Sequence, residues 1–293
     1  MNAQGVDISV WQDNNSTPQM FDPIKARRRG ASFVGIKVSQ ANWADPDYAW
    51  NWADCRRRLY RMPFHFLVWD VGPWKQAELF WSLIEKDTWG LLPLVCDFEW
   101  WKTVPTRAMD ILYSFMERLR QLSDPLPKGI YTAKSFWDPN GSHAEYWKQY
   151  HLWLCDITGS VEVPKPWNTW NFWQYTFKLR GLEWGAESLD LDGDYYNGTL
   201  TEMIARYSLP ELDEIDQQPI SVPFGIEMTV VLEKINLRSS PLVLSNNDIG
   251  DLYKGEKFIV DAIAGKEAWA HGHTMDGREG WAAVQINSTR YMV

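Results

Sequence analysis

At 293 residues the chain is longer than one compact domain needs, which favours a large domain with a small one attached. Its formal net charge of −9 argues against nucleic acid as the main partner, since that role calls for a basic stripe. Nothing approaches the run of about 18 to 20 apolar residues that a membrane-spanning helix requires. Met1 to Gly5 leads directly into GVDISVW with no basic and apolar leader, so no cleaved signal peptide is expected and synthesis in a reducing cytoplasm is. The three cysteines, Cys55, Cys96 and Cys155, are an odd number without metal-like spacing. Cys96 and Cys155 lie in apolar runs and read as buried small hydrophobes.

In chain order, short apolar or alternating runs recur between helical stretches, the pattern of a β/α alternation. Strands are predicted at 5–10, 32–38, 62–68, 92–98, 128–132, 151–157 and 170–176, with a weaker one at 188–194. Helices are predicted at 20–29, 46–60, 74–88 and 106–122; the third follows Gly72-Pro73 and the fourth Pro105-Thr106. The triplets Arg27 to Arg29 and Arg56 to Arg58 fall late in helices, where they complement the helix dipole. After residue 123 the connections shorten and gain Pro and Gly. The expectation is an irregular (β/α)8-like barrel over residues 1–207 whose later helices are short. Residues 208–226, which include the Pro-rich, acidic SLPELDEIDQQPISVPFG, read as a linker. Residues 227–293 alternate apolar and turn residues, as a small all-β barrel of five or six strands does.

Tryptophan is the compositional outlier: 19 residues, 17 of them before residue 185. Some must be core, but indole also stacks well on the apolar faces of sugar rings. In such barrels chemistry collects where strands end. Acidic residues predicted there are Asp7, Asp70, Asp97, Glu99, Asp156 and the Asp190, Asp192, Asp194 group, more like charges than stability favours. In LPLVCDFEWW, Asp97 and Glu99 stand two apart on one strand and point to the same side, about 6 to 7 Å apart at the backbone. Glycoside cleavage needs one protonated acid and a second carboxylate beside the developing cation. The neighbouring charge and Trp100-Trp101 both favour a protonated Glu99. Trp11, Trp43, Trp69, Trp74 and Trp137 fall in or beside loops after predicted strands, where they would line a groove. His65, in PFHF, is the one histidine on a predicted barrel strand and reads as a core or orienting residue more readily than a catalyst.

The collinear order GVDIS, FVGIKVSQ with DPDYAWNW, MPFHF, LPLVCDFEW, GIYTAKSFW, LWLCD, WNFWQYT and LDGDYYNGT resembles glycoside hydrolase family 25, the Chalaropsis-type lysozymes common among bacteriophage endolysins. The resemblance spans about residues 3 to 200. It implies an eight-stranded irregular barrel and cleavage of the β-1,4 bond between N-acetylmuramic acid and N-acetylglucosamine in peptidoglycan. By motif, Asp7, Asp97, Glu99 and Asp192 fall on the family's catalytic carboxylates, with Asp190 and Asp194 as register rivals of Asp192. Trp11, Lys37, Phe64, His65, Trp69, Trp100, Tyr131, Trp137 and Gln174 fall on its substrate-binding face. No metal or organic cofactor is implied, and a monomer acting on peptidoglycan after release from the host cytoplasm is.

Three departures bear on substrate detail: Phe64 stands in place of the usual tyrosine, Val38-Ser39-Gln40 in place of Ala-Thr-Glu, and Cys155-Asp156 in place of a small residue and a polar one. The segment INLRSSP, YKGEKFIV and GWAAV resembles bacterial SH3-like domains, which implies wall binding. A family 18 chitinase would carry D-x-x-D-x-D-x-E, and Val95, two positions before Asp97, breaks that pattern. A non-catalytic glycan-binding protein is the rival from another class, and the four carboxylates speak against it.

Overall fold

The computed structural model describes residues 2–13, 21–213, 220–239, 247–264, 268–286 and 289–290. The chain forms two compact units, Met1–Glu214 and Ile215–Val293. The first begins with β1 (Gln4–Ile8), α1 (Pro23–Arg28), β2 (Ala31–Gln40), the short β3 (Trp43–Ala44), α2 (Tyr48–Cys55), β4 (Tyr60–Phe66) and α3 (Pro73–Ile84). It continues with β5 (Leu94–Asp97), α4 (Ala108–Ser123), β6 (Lys128–Ala133), α5 (Lys134–Asn140), β7 (His151–Cys155), β8 (Phe172–Arg180), β9 (Asp190–Tyr196) and α6 (Leu200–Tyr207). All eight predicted strands and all four predicted helices are present.

Local chemistry sets the boundaries. Asp22 caps α1 by accepting from the Ile24 and Lys25 amides, with Pro23 in the first turn where no amide is needed. Thr199 and Glu202 cap α6 reciprocally. β1 stops at Ile8, two residues short of the prediction, because Ser9 and Gln12 close a capping box on a single 3-10 turn at Val10–Gln12.

The sheet closes on itself: β1 pairs with β2, and the order continues β4, β5, β6, β7, β8 and β9 back to β1, with β3 a hairpin off β2. Neighbours from β1 through β8 are parallel, whereas β9 runs antiparallel to both β8 and β1. The connection from β8 to β9 carries only one 3-10 turn, Gly181–Glu183, and a parallel crossover takes a dozen or more residues. The closing strand must therefore turn back. This departs from a strictly parallel barrel and has a consequence at the site, because β9 brings its first residues, not its last, to the end where the other strands finish.

Strand alternation divides the core in two. Phe33, Met62, Phe64, Val95, Tyr131, Trp153 and Phe172 point into the barrel and pack on one another. Val6, Ile8, Val34, Ile36, Cys96, Ile130, Leu152 and Leu154 point outward into a larger cluster with Ala26, Trp52, Phe80, Leu112 and Phe115 of the helices.

Residues 209–213, which the sequence places in a linker, pack on the barrel. Leu209 is buried, the Tyr60 hydroxyl donates to the Pro210 carbonyl at 2.9 Å, and the Asp213 amide donates to the Arg57 carbonyl at 2.8 Å. The rest of the predicted linker divides between residues 214–219, which lie outside the described residues, and a strand that starts at Ile220.

In the second unit, β10 (Ile220–Thr229), β11 (Lys234–Arg238), β12 (Asp248–Tyr253), β13 (Lys257–Ala264), β14 (Ala268–Thr274) and β15 (Glu279–Ile286) form an antiparallel sheet in the order β10, β13, β14, β15, β11, β12. A seventh strand, β16 (Thr289–Arg290), pairs with β15. Val230, Ile235, Leu237, Leu252, Phe258, Val260, Ala270 and Ala282 form its core.

Candidate active site

Side chains that follow the inward parity collect at the barrel end where β1, β2 and β4 to β8 finish. Asp7 comes from β1, Lys37 from β2, Phe64 from β4, Asp97 from the last position of β5, Tyr131 from β6 and Gln174 from β8. Glu99 lies two residues beyond Asp97 and keeps its parity. Antiparallel pairing sets Asp192 opposite Asp7 and Asp194 opposite Gly5. Gly35 on β2 leaves the room: a Cβ there would stand 2.7 Å from the Asp7 Cβ and 3.0 Å from the Trp153 ring.

Asp7, Lys37, Phe64, Asp97, Tyr131 and Gln174 are all buried. The Tyr131 hydroxyl donates to Gln174 Oε1 at 2.8 Å, which aims the Gln174 amide at Asp7 Oδ2 at 2.9 Å. Phe64 meets the Trp153 indole edge to face. The Lys37 ammonium donates to Gln40 Oε1 at 2.7 Å and lies 5.3 Å from the Phe66 ring centre.

Burial is the chief force on every carboxyl here and favours the neutral form. It raises Asp97 well above the usual carboxylate range; the Glu99 charge adds to this and Lys37 opposes it. Glu99 is raised by burial against the pull of Lys37. Asp7 is raised well above its ordinary value by burial and then by Asp194, with the Gln174 hydrogen bond opposing. Burial, Asp7, Glu99 and Asp190 push Asp192 up to about 8. Lys37 is lowered by burial even though Asp97, Asp45 and Glu99 pull it up. One ammonium thus sits among carboxyls whose burial favours the protonated form, the condition that suits a carboxylic acid to proton donation.

Several predicted site residues stand elsewhere. His65 follows the outward parity and is fully buried: its Nδ1 meets the Ser39 hydroxyl at 2.8 Å, its Nε2 meets Gln76 Oε1 at 3.1 Å, and its ring stacks on Phe115. Burial lowers its pKa to about 4, so it is a neutral strut between sheet and helices. Trp137 is fully buried against Trp147, Trp167 and Phe98, and its indole donates to the Lys165 carbonyl at 2.6 Å. Trp69 is also buried and donates to the Trp101 carbonyl. Trp11, Trp43, Trp74 and Trp100 are exposed, and Trp100 rests on Phe136. Asp70 pairs with Lys102 in solvent, and Asp156 accepts from the Thr158 and Glu162 amides of its own loop.

Two acidic residues gain weight from the structure. Asp45, in the motif DPDYAWNW, is buried near Lys37 and accepts from the Val10 and Asp47 amides. Asp194 is buried inside the barrel beside Asp7. Proline at 46 hides the role of Asp45 by reading as a turn, and a triplet of aspartates two apart on one strand hides which of them is innermost. A cleft of about 490 Å³ lined by Lys134, Ser135, Cys155, Asp156, Thr158 and Glu162 opens at the ends of β6 and β7. Cys155 also feels the charges of Glu99, Asp7 and Asp194, so the cleft adjoins the carboxyl cluster. Among the described residues, no group of three or more His, Cys, Asp or Glu side chains is arranged to hold a metal ion.

A closed eight-stranded barrel with a buried carboxyl cluster at its strand ends defines a glycosidase-like site. The family model of glycosyl hydrolases family 25 matches residues 6–183, and the chain belongs to that family; it is a glycoside hydrolase. It is 26% identical over 223 residues to lysozyme M1 of Streptomyces globisporus, covering 69% of this chain and 70% of that protein. Its fold is similar to that of a lysozyme from Streptomyces coelicolor, at 23% identity and a TM-score of 0.59 over 71% of this chain and 97% of the other. A similar match is the CTP1L endolysin, at 19% identity and a TM-score of 0.58 over 71% and 70% of the two chains.

Proposed function

We propose that the chain is a peptidoglycan muramidase that cleaves the β-1,4 bond after N-acetylmuramic acid, with Glu99 as the general acid. The observation that carries this reading is the cluster itself. Glu99 is raised toward its protonated form beside Asp97, and one Asp97 oxygen, Oδ1, is buried with no donor from the protein. A buried acceptor without a partner is costly, and a substrate N–H satisfies it. In this scheme Glu99 gives its proton to the leaving glycosidic oxygen. Asp97 accepts from the 2-acetamido N–H of the sugar, whose carbonyl oxygen attacks C1 and displaces the leaving group. Water, deprotonated by Glu99, then opens the resulting ring with overall retention. Asp7 and Asp192 hold the proton distribution beneath, and Lys37 tempers the charge of Asp97 and Glu99. Exposed Trp11, Trp43 and Trp100 supply stacking surface for sugar rings.

The second unit fits a wall-binding role of the SH3-like kind, in an endolysin of phage origin that acts on the wall after release. Its support is the sequence resemblance together with an antiparallel sheet around its own core. Digestion of purified peptidoglycan, borohydride reduction and mass spectrometry test the specificity. Reduced N-acetylmuramic acid at the new ends is expected, and reduced N-acetylglucosamine would replace the reading by a glucosaminidase.

A further inference from the structure

Beneath the carboxyl pair at Asp97 and Glu99, Asp7 has a neighbour, Asp194, that the reaction scheme leaves without a job. Asp194 is fully buried, and its Oδ1 accepts from the Trp153 indole N–H at 2.8 Å. Its Oδ2 is also buried and finds no donor in the protein, while the pairing of β9 on β1 sets Asp194 opposite Gly5, on the inward face two residues from Asp7, and the two carboxyls act on one another. Gln174 Nε2 already fills Asp7 Oδ2, and Tyr131 fixes the orientation of that amide. Two carboxylates cannot satisfy each other there; one carboxylic acid and one carboxylate can.

We propose that Asp194 is a positioning residue that shares a single proton with Asp7, so that Asp7 stands neutral and aimed at the catalytic carboxyls. The proton sits on Asp7 and is donated to Asp194 Oδ2, while Trp153 steadies the negative charge left on Asp194. The groups facing Asp194 are Asp7 from β1, Trp153 and Cys155 from β7, Gln174 and Tyr175 from β8, and Asp192 from its own strand. None of these is a cation, so no fixed positive charge competes with the proton. Burial holds Asp194 up to about 8 and Asp7 well above its ordinary value, so the pair keeps its proton through neutrality. Loss of that proton on the alkaline side places two adjacent charges in the barrel and drives Asp7 off its mark.

This inference rests on the muramidase reading, and the test separates the two. In Asp194→Asn the amide has the same shape: its oxygen accepts from Trp153 and its nitrogen donates to Asp7. Asp7 is then held in place by the amide without needing a shared proton, so loss of that proton no longer sets the alkaline limit. The alkaline midpoint of the kcat profile on peptidoglycan is expected to rise by about one pH unit, the scale of a neighbouring charge. Trp153→Phe removes the donor that steadies ionised Asp194, so this variant should also hold its proton to higher pH. Midpoints that coincide with those of the unaltered protein, at whatever overall rate, reduce Asp194 to a structural residue and overturn the proposal. So does failure of Asp194→Asn to fold, because a shared-proton site accommodates the amide. An unaltered protein without activity on peptidoglycan would instead overturn the muramidase reading.

Discussion

Replacing Asp192 by asparagine should stabilise the protein at neutral pH while slowing catalysis. The Asp192 carboxyl is pushed up to about 8, by burial first and by Asp7, Glu99 and Asp190 after it. In the unfolded chain the same group titrates near about 3.9. A carboxyl raised on folding costs nothing below its unfolded value, and the cost grows as pH rises toward the folded value. At pH 7 the gap is roughly three pH units, which at about 1.36 kcal/mol each sets a ceiling of about 4 kcal/mol. Asp192 is only partly buried and its neighbours share the proton load, so about 1 to 2 kcal/mol is the working expectation. For a domain of this size that corresponds to a rise in Tm of roughly 2 to 8 °C. Thermal melts at pH 7 and pH 4 check it: the gain should appear at pH 7 and shrink toward zero at pH 4. An equal change at both values, or a loss of stability at pH 7, would refute the argument that these carboxyls are held at the expense of the fold.

Gly35→Ala puts a Cβ into contact with Asp7 and the Trp153 ring, and overpacking of this kind costs about 1 to 3 kcal/mol. Turnover measured on soluble glycan should fall by more than the loss in melting temperature accounts for, since Asp7 moves. Asp97→Asn should lower turnover strongly without a glycosyl-enzyme adduct in intact-protein mass spectra, and early product anomers read by proton NMR should show retention. An adduct, or an initial α-anomer, would assign Asp97 a different role. A chain ending at Glu214, which keeps the packed residues 209–213, should melt cooperatively and still cleave soluble glycan. Clearing of intact cells should drop, because two linked modules gain affinity on a polymeric surface.

The strand positions were legible because each inward or outward run carries its own apolar pattern, and the pair Asp97 and Glu99 was legible because a spacing of two fixes a common face. Strand direction was not. Nothing in SLDLDGD says that β9 turns back, and only the shortness of the connection at Gly181–Glu183 forbids a crossover. The same pattern of alternation that places Lys37 and Gln174 inside puts His65 outside, a distinction its position between Phe64 and Phe66 encodes once Phe64 is known to face inward. Trp137 looked like groove lining because it follows β6, but it is covered by the turn at Glu145–Gln149 and by Trp167, contacts made by residues 10 and 30 places away. Long-range cover of that kind leaves no trace in local sequence. The end of the barrel was misplaced for the opposite reason: Leu209 and Pro210 sit in an acidic, proline-rich stretch whose composition reads as solvated, and their packing against Tyr60 depends on the closed barrel.

The initial rate of peptidoglycan solubilisation by Glu99→Gln, measured beside the unaltered protein from acid to alkaline pH, bears most directly on the site. Glutamine keeps the shape of Glu99 and removes the proton it donates, and general acid assistance is worth about 10² to 10⁴ in rate. A fall of at least about a hundredfold at every pH, with an unchanged or higher Tm, is the predicted result. Near-normal rates in a folded variant would contradict the assignment of Glu99 as the acid and return the search to Asp97, Asp7 and Asp192.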